Sequence, residues 1–295
     1  MIVELLNTAV NGALIGCLYG LVAMGFVVIY RASKVFNFAQ GELLALSGLL
    51  IWTFAQGAGW PHSLAIGAAL VGAALVGLAI EVVLFRRLAG APIFAMVMVT
   101  LGLLVLLHGV MLVVWGAGER PFPAIFAFQP VIVGDFILPR ALLYGCVITL
   151  AVTGMLWWYF NRTRSGLKLT AVSEDHLIAA SLGISVRAAT TVAWVLGSVL
   201  SVLGAVIFLS GRSVSPGSAE IGLIALPVAM LAGMESIAGL VVAGVAIGVV
   251  QGLTAAYVDA RFHTSVSVAV PYVFMLGVLL VKPTGVFGWK SVERV

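Results

Sequence analysis

Apolar runs separated by short polar links set the pattern of this chain. They fall at 8–30, 41–56, 64–85, 92–114, 141–160, 188–209, 221–234, 237–258 and 266–281. A spanning helix needs about 20 residues to cross about 30 Å of hydrocarbon, and most of the runs reach that length. The second, seventh and ninth are short, and the last two of these carry Pro227 and Pro271. Short or Pro-interrupted segments point to discontinuous helices, whose open backbone groups must face protein or a water-filled path. The expectation is an all-α polytopic membrane protein of about eight or nine transmembrane helices. The weak ten-residue alternation of a β-barrel is not the pattern seen.

Composition agrees. The 295 residues are 62% hydrophobic and 9% charged, against about 25% charged in soluble domains. The net charge of +4 does not point to nucleic acid, because the 15 basic residues sit between apolar runs. With nine crossings, Arg31, Lys34, Arg86, Arg87, Arg162, Arg164, Lys168, Arg187, Lys282, Lys290 and Arg294 share one side, and Arg120, Arg140, Arg212 and Arg261 the other. The basic excess marks the cytoplasmic side, so the N-terminus is expected outside and the C-terminus inside. Cys17 and Cys146 lie within apolar runs and read as two buried thiols. The first ten residues, MIVELLNTAV, have no basic region and do not read as a cleaved signal peptide.

The single transmembrane domain divides into a first half (8–114), a linking helix (141–160), a cytoplasmic loop (161–187) and a second half (188–281). The halves share a rhythm of long helix, polar link, short helix and two further helices. Their counterparts are five segments apart, which inverts one half relative to the other. Inverted repeats are a transport signature. The loop 161–187 contains Leu177, Ala180, Ser181 and Ile184 at helical spacing behind Ser173, Glu174 and Asp175. Ser173 is expected to cap a short amphipathic helix that Gly183 ends. Such a helix either rests on lipid or docks into a partner.

The polar motif NFAQGE, residues 37–42, interrupts the hydrocarbon. A carboxylate in the bilayer costs on the order of 3 kcal/mol, so Glu42 must face protein or water. It also suits the positive end of the helix that starts there. A half-helix N-terminus at a polar motif is how transporters present a solute site. Asn37, Phe38, Gln40, Gly41 and Glu42 are therefore candidates for a translocation path, with Asn37 and Gln40 offering weak hydrogen bonds to the solute. The link 210–222 is the counterpart in the second half, and its Ser213, Ser215 and Ser218 join the candidates; an ordinary outer turn is the plainer alternative. Gly239, Gly244 and Gly248 fit close helix packing. Glu81 and Arg86 fit an interfacial pair. The four histidines show no metal-ligand spacing. No Walker A motif, HExxH or GxSxG occurs, so no enzyme activity, cofactor or metal is expected.

Four blocks carry a family resemblance. They are the N-terminal block around NFAQGE, the block LTAVSEDHLIAASLGISVRAATTVAW, the Gly-rich stretch ALPVAMLAGMESIAGLVVAGVAIGVVQGL, and the C-terminal LLVKPTGVFG. In these the chain resembles the membrane permease of bacterial ABC importers for branched-chain amino acids, the LivH type. The resemblance implies a second related permease, two cytoplasmic ABC ATPases, an external or periplasmic solute-binding protein, and a place in the bacterial inner membrane among lipid. It implies that Glu174, Asp175, Ala179, Leu182 and Gly183 belong to a coupling helix that enters an ATPase groove. The family more often has His where this chain has Gln40, and an amide cannot titrate as an imidazole can. The expected function is inward transport of branched-chain or other apolar amino acids. The alternatives are the same machine carrying urea, short amides or small carboxylates, and a stand-alone secondary transporter.

Overall fold

A computed structural model describes residues 2–88, 91–126, 129–174 and 176–288. All nine apolar runs form helices: α1 (Ile2–Ser33), α2 (Gln40–Trp52), α3 (His62–Val83), α4 (Ile93–Trp115), α5 (Arg140–Arg162), α8 (Val186–Leu209), α9 (Glu220–Leu231), α10 (Ile237–Thr254) and α12 (Val270–Val281). Between them lie α6 (Arg164–Glu174), α7 (His176–Ser181) and the short turn α11 (Ala260–Phe262). Two small antiparallel pairs complete the chain, β1 (Arg120–Pro121) with β4 (Ser213–Val214), and β2 (Val131–Val133) with β3 (Phe136–Leu138).

Among the described residues six helices are long and apolar enough to cross a membrane, while α9 and α12 are shorter apolar helices. The 13 residues of α2 rise only about 20 Å at 1.5 Å each, so it is a partial span, extended by a π-helical turn over Thr53–Gly57. Pro271 sits in the first turn of α12, where its missing N–H costs nothing. Pro227 lies inside α9.

The chain forms two compact units, one of residues 1–27, 128–154 and 224–295, the other of residues 28–127 and 155–223. Each therefore draws on both halves of the sequence. In the first unit, Gly12 and Gly16 of α1 face Gly244 and Gly248 of α10 so closely that a Cβ on Gly16 would meet the Gly244 carbonyl oxygen. Both sequences are small-xxx-small stripes, which let backbones approach where lipid offers no hydrophobic drive. The C-terminal segment is pinned beside the start of α10: Val286 N–H donates to the Leu231 carbonyl at 2.7 Å. In the same unit the Cys17 and Cys146 sulfurs lie 3.2 Å apart. The sequence had given them only as separate buried thiols.

The second unit is built on α8, which packs against α3 and α2. One stripe of α3, Ala65, Ala69, Ala73 and Gly77, is buried at four-residue spacing, while Val71 and Leu75 on its other faces are exposed. Gly77 abuts the Trp194 carbonyl and Ser198 of α8. Trp194 is fully buried and stacks on Phe85 with centroids 4.5 Å apart. Glu81 pairs with Arg86 at 3.2 Å, as the sequence reading expected.

Candidate functional site

The site is assembled in the second unit from a break in the helices. α1 ends near Ser33, whose hydroxyl donates to the Ile29 carbonyl. Lys34 follows at φ 54° and turns the chain. The Asn37 Oδ1 accepts from Ala39 N–H at 3.1 Å, and the Gln40 N–H donates to the Asn37 carbonyl at 3.2 Å. This Asx-type turn launches α2. The Asn37 amide also donates to Gln40 Oε1 at 3.2 Å, and Gln40 Nε2 donates to Ser201 Oγ at 2.9 Å and to the Gly197 carbonyl at 3.2 Å. Both amides are 1% exposed. They tie the start of α2 to α8, and the hydrogen bonds expected for a solute are made to protein instead.

Gly41 brings a second broken helix to the same place. A Cβ on Gly41 would strike the Ala219 carbonyl oxygen, and one on Gly222 would strike the Gly41 backbone. Ala219 closes a 3-10 turn, Pro216–Ala219, that leads into α9. The N-terminal turn of α2 therefore meets the turn that starts α9, and a cavity of about 160 Å³ opens beside them. Phe38, Leu104 and Leu223 give it apolar walls, while Glu42, His108 and Glu220 supply ionisable groups.

Glu42 is 5% exposed and sits in the first turn of α2, where Ala39 is the N-cap and no side chain caps the helix. Its two carboxylate oxygens both lie 3.3 Å from His108 Nδ1. His108 belongs to α4 and was missed in the sequence, where the histidines were tested only for metal spacing. An ionisable residue within an apolar helix is itself a functional signal, and that test would have found it.

Of the other candidates, Phe38, Gly41 and Glu42 line the cavity. Ser213 is exposed in β4, across from Pro121. Ser215 and Ser218 hold the turn before α9, with Ser215 N–H donating to Ser218 Oγ at 3.2 Å. None of the three serines is among the cavity's lining residues.

In the 161–187 loop, Ser173 is not a cap. It lies buried in α6 and donates to the Thr170 carbonyl at 2.6 Å. Helix α6 already runs through Glu174, so the short helix starts later, at His176. Its end is as expected: Gly183 has φ 76°, with Gly183 N–H on the Ala180 carbonyl and Ile184 N–H on the Ala179 carbonyl. That is a Schellman closure, which glycine adopts without a Cβ penalty. Ala179 is buried at 1% exposure, while Glu174 is exposed and Ile178 and Leu182 are 60% and 73% exposed. Ala180 and Ser181, two of the residues at the expected helical spacing, are exposed, while Ala179 turns inward. Asp175 lies outside the described residues.

A chain built of helices, with six apolar spans among the described residues and a cavity where two helices start, defines a multi-pass membrane permease. The chain belongs to the family described as the branched-chain amino acid transport system permease component, whose model matches residues 8–279. It is similar to the high-affinity branched-chain amino acid transport system permease protein BraD of Pseudomonas aeruginosa, 25% identical over 98% of both chains. It is equally similar to LivH of Escherichia coli K12, 25% identical over 97% of this chain and 96% of the relative. The probable branched-chain amino acid transport permease protein LivH of Methanocaldococcus jannaschii is 24% identical over 93% of this chain and 90% of its own. No solved structure matches the chain significantly.

Proposed function

We propose that the chain is the transmembrane subunit of a bacterial ABC importer for branched-chain or other apolar amino acids. One observation carries the reading: an ionisable pair, Glu42 and His108, borders a cavity at two helix starts inside an apolar bundle. Such groups are costly against lipid, so a water-accessible path is the place for them. The helix N-termini carry partial positive charge and suit a carboxylate, Glu220 and Glu42 suit an ammonium, and Phe38, Leu104 and Leu223 suit an apolar side chain. A zwitterion with a hydrocarbon tail meets all three. The names of the relatives point to the same cargo.

The subunit works with a second permease, two cytoplasmic ABC ATPases and an external solute-binding protein in the inner membrane. Its N-terminus is outside and its C-terminus in the cytoplasm. Exposed Ile178 on α7 and Leu182 just after it form the apolar knob that enters an ATPase groove, with Glu174 nearby in sequence. Closure of the ATPases on ATP then biases the permease between two states. The helix pairings support the inverted repeat: α1 of the first half packs on α10, the third helix of the second. Reciprocally, α8, the first of the second half, packs on α3, the third of the first. The second members, α2 and α9, meet at Gly41 and Gly222.

The test is ATP-driven uptake in proteoliposomes holding the whole complex, with labelled leucine, urea and an acidic amino acid offered in parallel. Leucine uptake that needs ATP and the binding protein is expected. Uptake of urea alone keeps the machine and overturns the cargo. Uptake by this chain without ATPases overturns the importer reading.

A further inference from the structure

A second cavity, of about 180 Å³, lies at the junction of α5, α6 and α8. Its making is local. α5 ends at Arg162, and the Thr163 hydroxyl donates to the Tyr159 carbonyl at 2.7 Å while accepting from Gly166 N–H at 3.0 Å. Gly166 then lies so close that a Cβ would meet the Tyr159 carbonyl oxygen. This tight reversal lays α6 back along the end of α5. Tyr159 of α5, Ser165 and Lys168 of α6 and Ser185 at the start of α8 line the cavity at this reversal.

The lining has the chemistry of an anion site with one apolar wall. Lys168 supplies a positive charge, and Tyr159, Ser165 and Ser185 supply hydroxyl donors; no carboxylate is among the lining residues. Ser185 caps α8 by accepting from Ala188 N–H at 3.3 Å, and the positive end of that 24-residue helix faces the cavity. The remaining wall is apolar: Leu169 is buried, and Val192 is 37% exposed one turn further along α8. Trp157 and Trp158, 51% and 55% exposed, stand immediately before Tyr159. Adjacent exposed tryptophans mark the depth of the lipid headgroups. Arg162, Arg164 and Arg187 lie exposed around the same end.

We infer that this cavity binds the phosphate of an anionic phospholipid, with the acyl chains lying along the apolar side of α8. Basic pockets between spans on the basic side of a bundle are recognised by such headgroups. The cavity is separate in its lining residues from the one at Glu42. Its place at the root of α6, the helix that leads into α7, makes the lipid a brace for the segment that bears the coupling knob. A free phosphate shares the headgroup chemistry, so the test separates the two sources.

The purified full chain in detergent is titrated with phosphatidylglycerol and, separately, phosphatidylcholine, and bound lipid is counted by native mass spectrometry. One tightly held phosphatidylglycerol is expected, retained in excess inorganic phosphate. Lys168→Ala lowers its affinity about fivefold, while Lys168→Arg keeps it, which separates loss of charge from loss of fold. Lys282→Ala, at a basic position outside the cavity, leaves it unchanged. Equal retention of phosphatidylcholine, or no effect of Lys168→Ala, overturns the proposal. Displacement of the lipid by inorganic phosphate overturns the lipid and leaves a free-anion site.

Discussion

Replacing Gln40 with alanine separates a scaffold from a solute contact. The side chain is 1% exposed and makes three hydrogen bonds: two donated, to Ser201 Oγ and the Gly197 carbonyl, and one accepted from Asn37. A buried bond contributes about 1 kcal/mol net, and a stranded buried donor costs about 1–3 kcal/mol. Gln40→Ala removes all three and leaves the Asn37 amide without its partner, so the loss is about 4–6 kcal/mol. Ser201→Ala costs less, about 1 kcal/mol, because Gln40 keeps the Gly197 carbonyl. At about 2–4 °C per kcal/mol for a chain of this size class, Gln40→Ala lowers the melting temperature by roughly 8–24 °C. The assay is the fraction of monodisperse protein that survives a heating series in detergent, read by size exclusion. Solute affinity of the surviving complex stays at the parent value. Undiminished stability together with a changed solute affinity would refute the reasoning and return the amide to the path.

Three further outcomes follow from the packing. Gly16→Leu drives a side chain into the Gly244 backbone; accumulation of folded protein falls at least several-fold, while Gly102→Leu, at a position with open space around it, leaves the yield unchanged in the same blot. Mild oxidation joins Cys17 to Cys146, whose sulfurs are 3.2 Å apart; the change is a loss of two free thiols by mass spectrometry, absent in Cys17→Ser. Leu182→Asp puts a charge on the exposed knob at the end of α7; uptake and transport-coupled ATPase activity fall together while the purified subunit keeps its melting temperature.

The helices were legible because apolar run length and the bilayer thickness are tied by one number, the rise per residue. Each of the nine runs became a helix, with ends shifted by a few residues. What pairs with what was less legible. The stripe of Gly244 and Gly248 stood out, yet its partner stripe at Gly12 and Gly16 looked like ordinary apolar sequence, because helix pairing depends on register between segments far apart in the chain. The same limit hid His108 from Glu42. The amides Asn37 and Gln40 were visible as polar exceptions, but polarity inside a membrane fits a path and a buried hydrogen-bond network equally. Only the packing of α2 on α8 separates the two. Ser173 misled because a serine before two acids looks like a cap, while α6 simply continues through it.

Cysteine accessibility in the cavity tests the central claim most directly. In a Cys17→Ser, Cys146→Ser background, Leu104→Cys faces the Glu42–His108 cavity, and Leu106→Cys, two residues on along α4, points away at 59% exposure. The complex is treated in proteoliposomes with a membrane-impermeant thiol reagent, with and without leucine. The account predicts that Leu104→Cys is modified and loses uptake, that leucine slows the reaction, and that Leu106→Cys is spared. An inert Leu104→Cys with a reactive Leu106→Cys would contradict it and place the water path on the other side of α4.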